Sequence, residues 1–208
     1  MRALVVYCHP RSDSFTAAVR DCILEKLDEV GAELRVQDLY AAGFDPVLSA
    51  DEHRAYEDEA INRLPVAAEI EDLLWCDTLI FVYPTWWYGL PAILKGWLDR
   101  VLVPGVAFLM PTEAHKDIQP GLAHITRLGV FTTCGASWWL TRLIGAPGRR
   151  TILRGVRLLC AKRCKTAYAA HYLMDHSTPA SRAAHLEAVG RKLDRFLGRA
   201  APGKAVVS

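Results

Sequence analysis

No stretch of the chain reaches the roughly 18 uninterrupted apolar residues that a membrane-spanning helix needs, so no transmembrane segment is expected. Nor does a charged leader precede a long apolar run, because Met1-Arg-Ala-Leu-Val-Val-Tyr7 enters a strand at once. No signal peptide is expected, and the chain reads as soluble and cytoplasmic. A large excess of charge of either sign is missing too. The formal net charge is +2 with Lys, Arg, Asp and Glu interspersed, which argues against a nucleic-acid partner. A local exception runs from Arg149 and Arg150 through Arg157, Lys162 and Arg163 to Lys165, and reads as a solvated helix face. The six cysteines (Cys8, Cys22, Cys76, Cys134, Cys160 and Cys164) lack the density and spacing of a secreted disulfide framework. Cys8, Cys22 and Cys76 lie in apolar surroundings and read as buried thiols. Cys160 and Cys164, with His171 further on, match no common zinc spacing, and no metal site is expected. Glycine-rich phosphate loops are missing too: neither a Walker A loop nor G-x-G-x-x-G follows the first strand.

A hydrophobic fraction of 51% in 208 residues supports one sizeable core, and the length suits a single domain. That domain is assigned to residues 1–200, with 201–208 as a frayed tail. Residues 2–8 are a valine-rich run that reads as a central strand. Ser14 or Thr16 then caps a helix to about residue 30, in which Val19, Ile23, Leu27 and Val30 recur at helical spacing, and Gly31 ends it. Residues 34–39 read as a second strand, 41–66 as polar and irregular, and 66–75 as a helix. A third strand covers 78–83 and ends at Pro84. The next helix carries Pro91 in its first turn and places Ile93, Leu94, Trp97, Leu98 and Val101 on one side. Residues 103–124, with Pro104-Gly105, Pro111 and Pro120-Gly121, read as a long loop. A fourth strand covers 127–133, short helices 138–144 and 151–160, and a fifth strand 167–173. In the last helix Pro179 sits just inside the start, and Leu186, Val189, Leu193 and Phe196 form the apolar face. Strands alternating with helices imply an α/β fold, a doubly wound five-stranded parallel sheet with helices on both faces. Its expected strand order is the flavodoxin-like 2-1-3-4-5.

In that order the loops after strands one, three and four meet at one crevice. Ser12, Ser14 and Thr16 stand at a helix N-terminus, where free N–H groups and hydroxyls can hold a phosphate without lysine. Alone, the same hydroxyls read as helix caps. Pro84-Thr-Trp-Trp-Tyr-Gly89 sets three large aromatic residues in succession at a strand's carboxyl end, a setting for a flat ligand. An aromatic cluster in the core or at a dimer seam has the same pattern. Thr132-Thr-Cys-Gly135 carries small residues that let backbone come close to a ligand. Together the three loops point to a nucleotide-like aromatic cofactor.

Several motifs run along the chain: His9-x4-Ser14-Phe15-Thr16, Asp38-Leu39-Tyr40, Phe44-Asp45-Pro46 and Pro84-x2-Trp87-Tyr88-Gly89. Pro91-Ala-Ile-Leu-Lys-Gly-Trp97, Val103-Pro-Gly-Val-Ala-Phe108, Thr132-Thr133-x-Gly135 and Thr178-Pro179 with Arg182 continue the series. In these the chain resembles the NAD(P)H:quinone oxidoreductase family of flavodoxin-like flavoproteins. The resemblance implies that His9, Ser14, Phe15 and Thr16 hold the phosphate side of a flavin. Pro84, Thr85, Trp86, Trp87 and Tyr88 would line its ring, and Thr132, Thr133, Cys134 and Gly135 would contact the pyrimidine side. Arg182 would approach a phosphate or the adenine of FAD. Trp87, Tyr88 and Trp139 would act beside the reacting ring, while Phe108 and Trp138 would wall the substrate, Phe108 across a dimer interface.

The chain also departs from the family pattern. The usual Thr-Thr-Gly-Gly is Thr-Thr-Cys-Gly, which puts a thiol near the ring. Where mammalian-type members carry a tyrosine and a histidine that assist charge on the reduced flavin, this chain reads Trp138-Trp139-Leu140 and then Gly145-Ala146-Pro147. An indole keeps a stacking wall but offers no phenolic proton. The implied activity is hydride transfer from NADPH or NADH through FAD, or alternatively FMN, to a quinone-like acceptor, in a homodimer. Two other readings belong to different classes. One is a flavin-binding ancillary subunit, as of a potassium-efflux system; the other is a one-electron flavodoxin carrier, which the slightly basic charge disfavours.

Overall fold

The computed structural model describes residues 1–113 and 116–198; the expected tail and residues 199–200 of the expected domain lie outside the described residues. β1 (Arg2–Tyr7) leads into α1 (Phe15–Asp28), β2 (Glu33–Asp38), α2 (Ala50–Arg54), α3 (Ala67–Trp75) and β3 (Thr78–Thr85). Then come α4 (Ala92–Val101), β4 (Phe108–Leu109), β5 (Gln119–Pro120) and β6 (Arg127–Cys134). The described chain closes with α5 (Trp138–Leu143), α6 (Pro147–Arg150), α7 (Arg157–Leu159), β7 (Lys165–His171) and α8 (Pro179–Leu197). Five strands pair in parallel in the order β2-β1-β3-β6-β7, the expected 2-1-3-4-5 counted over the strands of this sheet.

The central strands β1, β3 and β6 hold this position because both of their faces are apolar. Successive side chains of a strand point to opposite sides. Leu4 and Val6 of β1 and Leu79 and Phe81 of β3 therefore pack with Ile70, Leu73, Leu94 and Trp97 from α3 and α4. Ala3, Val5 and Tyr7, with Ile80 and Val82, meet Val19, Ile23 and Leu27 of α1 and Val189 and Leu193 of α8 on the other side. The expected stripe on α1 loses only Val30, which lies beyond the helix end and is half-buried. Gly31 closes that end in the left-handed region at φ 64, with Gly31 N–H donating to Asp28 O and Ala32 N–H to Leu27 O.

Four expectations are corrected. The segment 41–66 is not irregular throughout, because α2 forms there behind a reciprocal cap between Ser49 and Glu52. Gly96 lets this segment lie on α4: a Cβ at Gly96 would run into the backbone of Pro46. Arg100 then ties the two together, its Nε donating to Glu52 at 2.8 Å and its Nη1 to the Asp45 carbonyl. The loop 103–124 contains an antiparallel pair, with Phe108 opposite Pro120 and Leu109 opposite Gln119. β3 continues through Pro84 to Thr85. Cys8 N–H donates to Val82 O, so by alternation Pro84 also faces β1, which has already ended, and its missing N–H loses no ladder bond. The helical stretch expected at 151–160 begins earlier, at Pro147, and passes through a π-helical turn at Thr151–Val156. Within the basic cluster, Arg149 stacks over Tyr168 at 5.0 Å and Arg157 donates to Cys164 O, so these two turn inward. Among the described residues no helix is long and apolar enough to cross a membrane.

Candidate active site

The carboxyl ends of β1, β3, β6 and β7 open into a cleft of about 730 Å³. On the β1 side, His9 Nδ1 lies 3.0 Å from Arg11 N and 3.1 Å from Arg11 O, and it accepts from the first or donates to the second according to the tautomer. Partial burial pushes the His9 pKa below the ordinary histidine range and so favours the neutral ring. Arg11 and Asp13 form a two-pronged ion pair at 3.0 and 2.9 Å. The Ser14 hydroxyl caps α1 by accepting from Ala17 N–H at 3.1 Å, and Ala18 N–H reaches Ser14 O. The N–H groups of Phe15 and Thr16 remain open at the helix N-terminus, where they and the helix dipole favour an anion. The Thr16 hydroxyl is bonded to that of Thr133 at 2.8 Å, so the α1 end is fixed to β6.

The β3 side is a tight turn. Trp86 and Gly89 pair across it, with Gly89 N–H donating to Trp86 O at 3.0 Å. Trp87 at φ 47 and Tyr88 at φ 61 occupy the two central positions in the left-handed region, where asparagine and glycine are the usual choices. Each such residue costs about 1–3 kcal/mol. Packing holds the turn: a Cβ at Gly148, at the start of α6, would lie 3.1 Å from the Gly89 carbonyl carbon. The Thr85 hydroxyl is bonded to that of Thr132 at 2.8 Å. Trp87 nevertheless stands 94% exposed, a whole indole held in water at the mouth of the cleft.

On the β6 side Cys134 is buried. Thr141 donates its hydroxyl proton to Ser137 O at 2.9 Å, so the Cys134 thiol, 3.7 Å from Thr141 Oγ1, is the donor of that pair. From β7, Met174 and Asp175 reach the same space. Arg182 of α8 lies over the Phe15 ring at 5.8 Å, with its Nε on Ser177 Oγ at 2.6 Å. Behind Phe15, His171 and His185 stack edge-on at 4.9 Å.

The cleft walls include the expected His9, Ser14, Phe15, Thr16, Pro84, Thr85, Trp86, Trp87, Tyr88, Thr133, Cys134, Gly135 and Arg182. Thr132 stands behind the wall and steadies Thr85. Phe108 packs half-buried against the core, while Trp138 and Trp139 are 55% and 62% exposed on α5, outside the cleft walls. Arg11, Asp13, Ala136, Met174 and Asp175 also line the cleft and were not anticipated. The sequence signal for the last two was their place just past the fifth strand, on the same carboxyl edge as the other loops.

Five parallel strands in this order, with the cleft at their carboxyl edge, define a flavodoxin-like protein. Residues 1–197 match the model of the flavodoxin-like fold family, Flavodoxin_2, and NAD(P)H dehydrogenase (quinone) 1 of Rattus norvegicus is 30% identical over 93% of the chain and 76% of its own length; the chain belongs to the flavodoxin-like NAD(P)H:quinone oxidoreductase family. An uncharacterized NAD(P)H oxidoreductase of Haemophilus influenzae is 36% identical over 66% of this chain and 66% of its own. The crystal structure of the NAD(P)H:quinone oxidoreductase from Methanothermobacter marburgensis superposes with a TM-score of 0.76 at 25% identity, covering 97% of this chain and 99% of that one.

Proposed function

We propose that the protein binds a flavin in this cleft, FAD in preference to FMN, and passes a hydride from NADPH or NADH to a quinone-like acceptor. The turn at 86–89 carries the reading. Two strained aromatic residues, Trp87 with its indole exposed and Tyr88, line the cleft, and such strain persists at binding sites. The open N–H groups of Phe15 and Thr16 and the guanidinium of Arg182 fit phosphates, and the aromatic wall fits a flat ring. A flavin held there supplies the two-electron chemistry that no side chain of the cleft provides.

The protein's own part is binding, orientation and polarity. Trp86, Trp87 and Tyr88 shield the ring face from water and leave room for a second flat molecule. Thr133, Cys134 and Gly135 bring backbone to the opposite edge, where donors favour negative charge. His9, whose charged form burial disfavours, offers a ring nitrogen to the cleft. Trp139 and Leu143 of α5, 62% and 69% exposed, are apolar surface that a second copy would cover. We place this homodimer in the cytoplasm, where the reduced nicotinamide nucleotides are held.

The test is to purify the protein, identify any flavin released on denaturation and follow NADPH or NADH oxidation with menadione as acceptor. Flavin retention with steady turnover is expected. Retained flavin without turnover would favour a regulatory flavin-binding subunit, and no flavin at all would sink the proposal.

A further inference from the structure

Two carboxylates line the cleft, and they are held differently. Asp13 is closed off by Arg11, which takes both of its oxygens. The Asp175 side chain has no hydrogen-bond or ion-pair partner among the described residues. Its position is nevertheless built into the fold. Just past the end of β7, Leu173 sits in the left-handed region at φ 55 and donates its N–H to Ala136 O at 3.2 Å. The short 3-10 turn Met174–His176 starts there and brings Asp175 over the loop that follows β6. Gly135 leaves the room: a Cβ at that position would stand 3.2 Å from Asp175 Oδ2.

The same end of the cleft holds groups of opposite preference. Arg182 commits its Nε to Ser177, while its outer nitrogens have no partner among the described residues. Phe15, beneath that guanidinium, opens the N-terminus of α1. These donors suit phosphate oxygens; a carboxylate, which only accepts, does not. The chemistry that offers paired donors close to phosphate is the vicinal diol of a ribose, which a carboxylate binds through two hydrogen bonds. FMN ends at its phosphate. FAD continues into a second phosphate and an adenosine, and a cleft of about 730 Å³ has room beyond a mononucleotide.

We propose that Asp175 is the ribose-diol acceptor of an adenosine diphosphate subsite and makes the cleft select FAD over FMN, with Gly135 keeping the carboxylate in place. This rests on the flavin reading above and deepens it. The ribityl hydroxyls are common to both flavins, so a carboxylate that served them would not discriminate.

The experiment titrates protein freed of flavin with FAD and with FMN, following quenching of flavin fluorescence, for the wild type and Asp175→Ala. The wild type is expected to bind FAD more tightly than FMN. Asp175→Ala is expected to weaken FAD about 10- to 100-fold, as loss of hydrogen bonds to a charged group does, and to leave FMN unchanged. ADP alone, measured by calorimetry, is expected to bind the wild type and to lose affinity in Asp175→Ala. Equal loss of both flavins, no loss of either, or tighter binding of FMN by the wild type would overturn the assignment. Binding of neither flavin by the wild type is a different failure, that of the flavin reading itself.

Discussion

Trp87 and Tyr88 occupy backbone conformations that the sequence around them does not announce. Asn-Gly or Gly-Gly at 87–88 would have signalled such a turn; two aromatic residues signal only a ligand or an interface. The aromatic content of the loop was thus legible, and its geometry was not. Because Trp87 is 94% exposed, Trp87→Ala is expected to leave the stability of the flavin-free protein within about 0.5 kcal/mol while flavin occupancy falls. Denaturant unfolding and absorbance of the purified variant measure the two effects, and unchanged occupancy would remove Trp87 from the site. Burial, with the neighbouring His171 and Lys192, lowers the His185 pKa from 6.5 to about 4. The unfolded chain therefore binds more protons than the folded one between these values. Stability from this group is complete above pH 6.5 and is lost as pH falls toward 4. His185→Leu is expected to flatten that part of a melting-temperature profile, and a profile parallel to the wild type would contradict it.

Among the elements, long periodic segments were legible and short ones were not. The valine-rich β1 and the stripes of α1 and α8 carry enough apolar residues to fix their type. α2 has five residues and none of them buried, so its signal lies outside any hydrophobic period, in the Ser49-x-x-Glu52 cap. Its anchor is tertiary, since Glu52 meets Arg100 at 2.7 Å with both side chains largely buried. Removing one partner leaves the other charge uncompensated, so Glu52→Ala is expected to cost about 3 kcal/mol in chemical denaturation. A loss below about 0.5 kcal/mol, the scale of a surface substitution, would show that the pair does not hold the segment. The β4–β5 pair and the π-helical turn escaped notice for a related reason: each is fixed by what it packs against rather than by its own sequence.

At the scale of the whole molecule, alternating strands and helices imply a parallel sheet, and five such strands fit the order that the sheet has. That order also brought the three loops together, as the shared walls of His9, Trp86 and Cys134 show. It missed Met174 and Asp175, because β7 lies at the sheet edge and the segment after it was legible only in its Thr178-Pro179 and Arg182. Asp175 becomes visible only once Leu173 and Gly135 are seen to place it. The measurement that bears most directly on the molecule is a spectral titration of the flavin-free protein with FAD, followed by addition of NADPH or NADH without oxygen. A saturable yellow complex that bleaches on adding the nucleotide is expected. A protein that stays colourless in excess FAD and in excess FMN would contradict the assignment of this cleft to a flavin.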